Sequence, residues 1–460
     1  MLDVALLKEA LQVPMALGDL EEFTDVTTDS RAIVPGCLFV ALKGERFDGH
    51  RFVAQALQEG ARAAVVSEVP EGVPADRCIQ VDDTLEAYQK IASCWRLKQK
   101  GLTVIAITGS NGKTSTKDCI AAVLGEKYRV IKTQANFNNE IGLPKTLLTI
   151  REDTEMAVVE MGMRGLGQIR AMKHIAFPDA AVITNVGDTH LELLGSLENI
   201  AKAKSEILED FTPKNHAFLN GDDPRVSVME TGATVHTYGI DSDADVKVVE
   251  ITADGLATRF VYRSRITGNT QAVKLPLLGR HNVMNALAAV AVGEVYGVPD
   301  EAIAQGLENL KMTGMRQEIL HFGPVTVIND AYNASPASME AALKTLGDVV
   351  KDQGKGRAIA VLADMLELGA HSRSGHTQVG EWCGKYGVDA LICYGPESRY
   401  TAEAAEKAGV PVHYVENKEA AAPVLERLVR PDDVVLLKGS HGMEVYSLID
   451  TVFRKGAKTC

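Results

Sequence analysis

Hydrophobic and polar positions follow four successive patterns along the chain. Short apolar runs such as CLFVALKG and AAVVSE, separated by turn-rich stretches, predict a small α/β unit at the start. From TVIAITG onward, continuous apolar runs alternate with helical patterns, as in a doubly wound, mostly parallel sheet. Strand-like segments around Asp254 and Gly255 predict a hairpin that extends this sheet with antiparallel strands. The later runs VTVIND, AIAVLADM, ALICYG and VVLLKGS, with helices between them, predict a Rossmann-like unit.

The length of the chain requires more than one domain. Its 460 residues exceed the roughly 250–300 at which a single hydrophobic core stops growing. We therefore predict an α/β protein of three domains, over residues 1–82, 83–312 and 313–460. The third domain lacks GxGxxG after its first strand, so we do not predict that it binds a dinucleotide.

Composition narrows the class of protein. With 46% hydrophobic and 24% charged residues the chain is typical of a globular protein. No apolar run approaches the ~20 residues that cross a bilayer, and the start MLDVALLKEALQV mixes in charges, so we expect a cytoplasmic protein without a membrane span. The net charge of −13, without a basic tract, disfavours nucleic acid as a partner. Seven cysteines without a CxxC pair indicate reduced thiols and no structural zinc site.

A glycine-rich loop follows the run TVIAIT. The segment ITGSNGKTST lies between a predicted strand and a predicted helix, where such loops point backbone N–H groups at phosphate. Lys113 suits the β- and γ-phosphates, and the Thr114 hydroxyl suits Mg²⁺. Ile107 stands where GxxxxGK[ST] requires glycine, so we expect a tighter loop, and a strand-to-helix turn without a ligand is the alternative. We predict ATP binding by the loop residues Gly109, Ser110, Asn111, Gly112, Lys113, Thr114 and Ser115.

Three downstream residues are candidates for metal ligands. Residue type and position alone do not decide whether each has a functional or a structural role. Glu160 ends a buried-type strand, where a carboxylate either faces the loop and its Mg²⁺ or lies at the rim. His190 follows another strand and is either a ligand or a structural histidine. Lys204, in LENIAKAKSEILED, is predicted by pattern alone to lie on a solvated face beside acidic neighbours.

Together these segments resemble the Mur ligase family, which builds the bacterial cell-wall precursor, and the resemblance covers essentially the whole chain. It implies that Glu160 holds one magnesium ion. It also implies that His190 and Lys204 hold a second, the lysine after reaction with CO₂ to a carbamate. Lys113, Glu160, His190 and Lys204 are thus the candidate catalytic residues.

The same resemblance assigns residues near the nucleotide in the later part of the chain. It implies that Arg316, in TGMRQE, and Asp330, in INDAYNASPASM, meet ATP. It further implies that Asn282, in GRHNVMNALAA, lies near adenine. Without the resemblance, Arg316 and Asp330 would equally well be interpreted as a surface ion pair.

The segments INDAYNASPASM and TQANFNNEIGLP resemble the branch of this family that adds D-alanyl-D-alanine. The resemblance implies an ATP-dependent ligase that joins this dipeptide to UDP-N-acetylmuramoyl-tripeptide through an acyl-phosphate, in the peptidoglycan synthesis that supports cell shape and division. Tyr332, Asn333 and Ser338 are then candidates for the dipeptide side. Asn138 and Asn139 are candidates for the muramoyl-peptide side.

The N-terminal segment TDSRAIVPGCLFVALKGERFDGHRF resembles the UDP-binding segment of the family. A turn-rich surface loop is the alternative for any single residue there. One departure stands near the C-terminus, where the family's KGSR is replaced by Lys438, Gly439, Ser440 and then His441. The resemblance implies that the uridine diphosphate end contacts Ser30, Arg31, Asp48, Gly49 and His50.

Three alternatives stay open. A sister ligase with another acceptor and a folylpolyglutamate synthase share the phosphate loop and the metals. A nucleotide-switched binding protein would bind or slowly hydrolyse ATP without depending on a carboxylate and an amine. We expect a monomer that uses ATP and two Mg²⁺ ions. The sequence does not indicate whether the third residue of the tripeptide is diaminopimelate or lysine. It also does not indicate whether variant dipeptides are accepted.

Overall fold

The computed structural model of the protein describes residues 2–15, 17, 20–44, 47–187 and 191–454, and the structural statements below concern these residues. Their strands form four sheets of two, four, nine and six strands. Among the helices in these ranges, none combines the length and the apolar character needed to cross a membrane. The predicted α/β class with three sheet-containing regions is confirmed.

The first region contains two small sheets and three helices: β1 (Leu2–Asp3), α1 (Val4–Leu11), β2 (Glu22–Phe23), β3 (Val26–Thr27), β4 (Leu38–Val40), α2 (Val53–Gln58), β5 (Ala63–Val66), β6 (Cys78–Gln80) and α3 (Thr84–Lys98). Strands β1 and β2 pair antiparallel, and β3 to β6 form a parallel sheet. β4 is shorter than the pattern CLFVALKG predicts. Leu42 turns back so that its N–H donates to Val40 O at 3.0 Å, and apolar character alone does not reveal where a strand ends.

The middle region is built on the nine-stranded sheet: β7 (Thr103–Thr108), α4 (Lys113–Gly125), β8 (Val130–Lys132), α5 (Gly142–Leu147), β9 (Met156–Glu160), α6 (Gln168–Ala176), β10 (Ala180–Ile183), α7 (Leu191–Leu194), α8 (Leu197–Ser205), β11 (His216–Asn220), β12 (Thr234–Gly239), β13 (Val246–Asp254), β14 (Ala257–Ser264), β15 (Thr270–Leu275), α9 (Arg280–Val295) and α10 (Asp300–Glu308). The spatial order is β15-β14-β13-β12-β11-β10-β7-β9-β8. Strands from β8 to β13 pair in parallel, and β13 to β15 pair antiparallel.

The predicted hairpin at Asp254 is confirmed, since β13 and β14 pair antiparallel across it. The central strands of the middle sheet are buried along their whole length because helices cover both faces. Helices α4 and α9 pack closely on one face, and a Cβ on Gly293 would come within 2.5 Å of Val123. This packing fixes α4, and with it the loop at its N-terminus.

The third region follows a connection after α10: β16 (Glu318–Phe322), β17 (Val325–Asn329), α11 (Pro336–Gln353), β18 (Ala358–Ala363), α12 (Ser372–Lys385), β19 (Ala390–Tyr394), α13 (Ser398–Lys407), β20 (Val412–Val415), α14 (Lys418–Leu428) and β21 (Val434–Lys438). The sheet order is β16-β17-β21-β18-β19-β20, with only the β16–β17 pairing antiparallel. The carboxyl ends of β17 and β21 lie side by side, which brings Asp330 next to Lys438. The predicted domain limits at 82/83 and 312/313 remain predictions.

Candidate active site

The phosphate loop connects the end of β7 to the start of α4. Gly112 is the N-cap of α4 with φ +80°, a conformation that glycine adopts without strain. A Cβ on Gly109 would lie 1.8 Å from Thr184 Oγ1, so only glycine fits against this neighbour. The loop therefore presents the free N–H groups of a helix N-terminus, which suit an anion.

Residues after β10 hold the loop from the side. Thr184 Oγ1 donates to Asn111 O at 2.6 Å, and Asn185 Oδ1 accepts from Asn111 N at 2.9 Å. The Ser110 hydroxyl donates to Gly187 O at 3.0 Å and accepts from Gly187 N at 2.8 Å. These bonds fix the loop before any ligand binds.

Lys113 folds back over its own loop. Its Nζ donates to Gly109 O at 2.8 Å and to Ser110 O at 3.3 Å. Burial lowers the pKa of Lys113, the Glu160 carboxylate opposes that shift, and Arg316 adds to it. The ammonium is thus held beside the N–H groups of the loop, where it would add positive charge to an anion site.

Glu160 joins the loop to the end of β9. Its side chain is buried, Oε2 accepts from Thr114 Oγ1 at 2.8 Å, and Oε1 accepts from Asn138 Nδ2 at 2.8 Å. A carboxylate and a hydroxyl therefore meet at the N-terminus of α4. Asn138, predicted on the muramoyl-peptide side, donates to this carboxylate. Asn139 Oδ1 accepts from the N–H of Gly142, the first residue of α5, at 2.8 Å.

Lys204 lies in the interior and not on a solvated face. Only 2% of its surface is exposed, so the pattern-based expectation of a solvated side chain is wrong. The helical period of α8 was correct, but it did not reveal which face of the helix packs inward. Burial lowers the pKa of Lys204 well below its usual value, and the nearby Lys113 ammonium adds to the effect. His190 lies outside the described residues.

The start of α9 lies beside the connection to the third region. Asn282 is buried, and its Nδ2 donates to Leu278 O at 2.9 Å and to Gln317 Oε1 at 2.6 Å. Asn285, one turn on, accepts from Thr116 Oγ1 at 3.1 Å and lies 2.7 Å from where a Cβ on Gly112 would stand. These amides link the predicted adenine side to the loop.

Asp330 and Arg316 do not form an ion pair with each other. Asp330 Oδ2 accepts from Lys438 Nζ at 2.5 Å, and Oδ1 accepts from Gln317 N at 3.2 Å. The Arg316 guanidinium instead lies 3.8 Å above the centre of the Tyr332 ring, with His441 on the same aromatic ring at 5.8 Å. The interpretation of Arg316 and Asp330 as a surface ion pair is therefore wrong.

The first turn of α11 contacts the phosphate loop across the two regions. Ser335 Oγ donates to Asn111 Oδ1 at 3.3 Å. The Ser338 hydroxyl is engaged in the helix cap, accepting from Ser335 N at 2.9 Å and donating to Ser335 O at 2.9 Å. Asn333 is exposed, with its side chain folded onto Ala334 N at 2.9 Å.

The candidate uridine-diphosphate segment forms its own hydrogen-bonded unit. His50 Nε2 accepts from Ser67 N at 2.9 Å, which leaves Nδ1–H to donate to Asp48 Oδ1 at 2.7 Å. These His50 bonds lower the pKa of Asp48. Gly49 is close-packed, since its Cβ would lie 2.8 Å from Leu42 O. Arg31 is exposed and pairs with Asp29 at 2.8 Å, and Ser30 is half-buried beside it.

Five contributing residues were not predicted from the sequence: Thr184, Asn185, Asn285, Gln317 and Ser335. Thr184 and Asn185 stand at the carboxyl end of a buried strand, in AAVITNVGD, where the edge of a parallel sheet builds sites. That position was a usable signal. For the other three, only the fold brings the residue to the loop.

The residues present fit ATP and a hard cation. A side chain at Gly109 or Gly112 would clash with its neighbours, and both glycines lie in the loop at the N-terminus of α4. In the described part of the chain, Arg316 Nε is buried without a hydrogen-bond partner. Thr114 and Glu160 supply oxygen ligands, which Mg²⁺ prefers when phosphates complete its shell. Within the same residues, no group of three or more histidine, cysteine, aspartate or glutamate side chains could hold a metal alone.

Three family models match consecutive parts of the chain. They are described as the Mur ligase family catalytic domain over residues 22–96, the Mur ligase middle domain over 107–293, and the Mur ligase glutamate ligase domain over 315–441. The UDP-N-acetylmuramoyl-tripeptide--D-alanyl-D-alanine ligase of Bacillus subtilis is 42% identical over 430 residues, covering 92% of each chain.

Solved structures extend this similarity to the whole fold. MurF from Acinetobacter baumannii superposes with a TM-score of 0.88 at 30% identity, over 99% of both chains. MurF ligase from Thermotoga maritima, solved in complex with ADP, superposes with a TM-score of 0.82 at 28% identity, over 95% of this chain and 98% of that one. With its phosphate loop, its three matched domains and these relatives, the chain belongs to the Mur ligase family.

Proposed function

We propose that the chain is an ATP-dependent ligase that joins D-alanyl-D-alanine to UDP-N-acetylmuramoyl-tripeptide through an amide bond. The products are ADP, phosphate and UDP-N-acetylmuramoyl-pentapeptide. The observation that carries the proposal is the phosphate loop with Thr114 against Glu160, in a chain that matches relatives named for this reaction over 92% of its length. The reaction belongs to peptidoglycan synthesis.

The chemistry explains why an amide ligase needs this loop. A carboxylate is a poor acyl donor, so a tripeptide carboxylate oxygen attacks the γ-phosphorus of ATP, forming an acyl-phosphate and releasing ADP. The dipeptide amine then attacks the acyl carbon, loses a proton and expels phosphate. The loop N–H groups and the Lys113 ammonium offset negative charge on the transferring group. Holding both reactants in one site makes the second step nearly unimolecular.

Two magnesium ions would be held by residues around the phosphate loop. Thr114 and Glu160 would hold one ion, and Lys204 and His190 would hold a second. When bound, the metal withdraws charge from phosphate oxygens. The protein contributes the buried, oriented carboxylate, which Asn138 keeps in place at 2.8 Å.

The proposed carbamate at Lys204 is supported by its surroundings. Only a neutral amine attacks CO₂, and burial together with Lys113 lowers the pKa of Lys204 well below its usual value. The amine nitrogen would bond to the carbon of CO₂ and lose one proton, giving an anionic carbamate. This anion would balance the Lys113 charge and offer oxygen to a metal.

The other assignments follow the three regions. Asn282, Arg316 and Asp330 would contact the nucleotide. Tyr332, Asn333 and Ser338 would contact the dipeptide, while Asn138 and Asn139 would lie toward the muramoyl-peptide. The protein would act as a monomer in the cytoplasm, where ATP and the UDP-linked precursors are found. The uridine diphosphate end would be held by Ser30, Arg31, Asp48, Gly49 and His50.

A phosphate-release assay tests this function. We expect ATP-dependent phosphate release only when both UDP-N-acetylmuramoyl-tripeptide and D-alanyl-D-alanine are present, with single D-amino acids and L-dipeptides far poorer. A site built to bind a dipeptide leaves polar groups unpaired with shorter ligands, at about 1–3 kcal/mol per group. Faster release with glutamate or one amino acid would indicate a sister ligase or a folylpolyglutamate synthase. Release that ignores both substrates would indicate a nucleotide-switched protein.

A further inference from the structure

A fully buried pair of charges lies one helical turn beyond the phosphate loop. Lys117 and Asp118 on α4 are both 0% exposed. Lys117 Nζ donates to Thr133 O at 2.8 Å and lies 3.4 Å from both Asp118 Oδ1 and Thr313 Oγ1. Burial lowers the pKa of Lys117, and the Asp118 and Glu160 carboxylates oppose the shift. None of the catalytic steps proposed above uses this pair.

The carboxylate of this pair holds the connection to the third region. Asp118 Oδ2 accepts from Thr313 N at 2.8 Å, and Oδ1 accepts from Thr313 Oγ1 at 3.0 Å. Lys132 Nζ, at the end of β8, adds a third donor at 2.6 Å. Thr313 lies between α10 and β16, in the segment that links the middle region to the third region. The linker is therefore bonded directly to the helix that follows the phosphate loop.

The lysine of the pair is connected to Glu160 through Thr133. Thr133, whose carbonyl accepts from Lys117, also accepts the Glu160 N–H on its hydroxyl at 3.0 Å. Glu160 in turn contacts Thr114. A continuous path of polar contacts thus runs from the linker, through Asp118 and Lys117 on α4 and then Thr133, to the backbone N–H of Glu160.

A buried ion pair is an inefficient way to stabilise a fold. Buried ion pairs lose their hydration, and apolar residues of similar volume often stabilise a protein equally well. Removing the charge of one partner, however, leaves the other charge buried and unpaired. A pair that connects the linker to the residue supplying the site carboxylate has a reason to be kept that packing alone does not supply.

We propose that Lys117 and Asp118 are positioning residues that couple the linker at Thr313 to the carboxylate of Glu160. This inference rests on the proposed function, because it takes Glu160 as the residue that faces the nucleotide and its metal. A change in the linker would alter the Asp118–Thr313 bonds, and the Lys117–Thr133 bond would transmit it to the Glu160 backbone. By linkage, nucleotide binding with Mg²⁺ must stabilise one linker arrangement.

Hydrogen exchange of the linker tests the coupling. In the wild-type chain, a non-hydrolysable ATP analogue with Mg²⁺ should slow amide exchange across residues 309–317 by about fivefold or more. Lys117→Met and Asp118→Asn should lose this protection, and the Mg²⁺ concentration for half-maximal analogue binding should rise. Thr133→Val removes one hydroxyl only and keeps the test valid if a charge variant fails to fold. Asp433→Asn, which weakens the ion pair between a buried aspartate and the half-buried Arg357 in the third region, is the matched control and should retain the protection.

Equal linker protection in the wild type and in Thr133→Val and Lys117→Met would overturn the coupling. The coupling would also be overturned if the analogue with Mg²⁺ binds to the wild-type chain without slowing amide exchange in the linker. A wild-type chain that does not bind the analogue at all would instead remove the proposed function. Analogue binding, measured by the fluorescence of a labelled nucleotide, separates these results.

Discussion

At the scale of single residues, the candidate site depends on groups that the fold holds in advance. Lys113 is bonded to the carbonyls of its own loop, and Glu160 is held by Thr114 and Asn138. Preorganised groups of this kind act without rearranging when charge develops, which is the largest single source of catalysis in many enzymes. Individual substitutions should therefore lower activity more than stability.

Lys113→Ala is expected to lower kcat by about 10²–10³-fold or more while the chain stays folded, because the ammonium acts on charge that develops during phosphoryl transfer. The measurement is product formation at saturating substrates, with circular dichroism and the melting temperature as checks on folding. Lys100→Ala, on an exposed lysine that precedes β7 at the end opposite the loop, is the control. Turnover equal to the wild type would remove the phosphate-loop assignment.

Lys204→Ala should lose nearly all activity, and short-chain carboxylic acids should partly restore it by replacing the carbamate oxygen at the metal. The effect should appear in kcat more than in the KM for the dipeptide. Mass spectrometry under CO₂ adds a direct observation of the modified lysine. If the variant is fully active without an added acid, Lys204 has only a structural role.

The sequence anticipated part of this site from chemistry and part only from resemblance. Gly109, Gly112, Lys113 and Thr114 were predicted because residue type and strand–helix context agree. The helical pattern put Lys204 on the solvent side, because a period defines faces but not their direction. Asn285 reaches the loop only through the packing of α9 on α4, which no local pattern contains.

At the scale of elements, α9 and the β13–β15 extension form a buried unit behind the site. Glu294, near the end of α9, is 6% exposed, and its Oε2 accepts from Ser264 Oγ on β14 at 2.5 Å. The sequence predicted the helix and the hairpin separately. It did not predict that they share a buried carboxyl group, because each pattern describes one element and not its partner.

Burial raises the pKa of Glu294 from 4.5 to about 7. The folded chain therefore retains a proton that the unfolded chain releases, so this stabilisation is complete below about pH 4.5 and is lost as the pH rises through about 7. Between these values the free energy of unfolding should fall by at most about 1.4 kcal/mol per pH unit from this group. Glu294→Gln should flatten that slope.

The measurement is the melting temperature of the wild type and Glu294→Gln across this pH range. The exposed neighbour Glu301→Gln is the control and should keep the wild-type slope. Identical pH dependence in the wild type and Glu294→Gln would show that Glu294 titrates as it does in the unfolded chain.

At the scale of the whole molecule, the site is assembled from two large sheets. Ser335, at the start of α11, reaches Asn111 in the phosphate loop, and Arg164 lies 3.3 Å from Glu367 across the same boundary. Chain length and alternating patterns predicted several α/β domains. The contacts between them join residues more than 200 positions apart, a separation over which local patterns carry no information.

The central claim is that ATP activates the tripeptide as an acyl-phosphate, and oxygen transfer measures this directly. The tripeptide carboxylate is labelled with ¹⁸O on both oxygens, and the reaction is run with ATP and D-alanyl-D-alanine. Attack on the γ-phosphorus followed by amide formation predicts that each phosphate released carries one ¹⁸O and each new amide keeps the other. Ligation that releases unlabelled phosphate would contradict the mechanism, and label-free phosphate without any new amide would contradict the function.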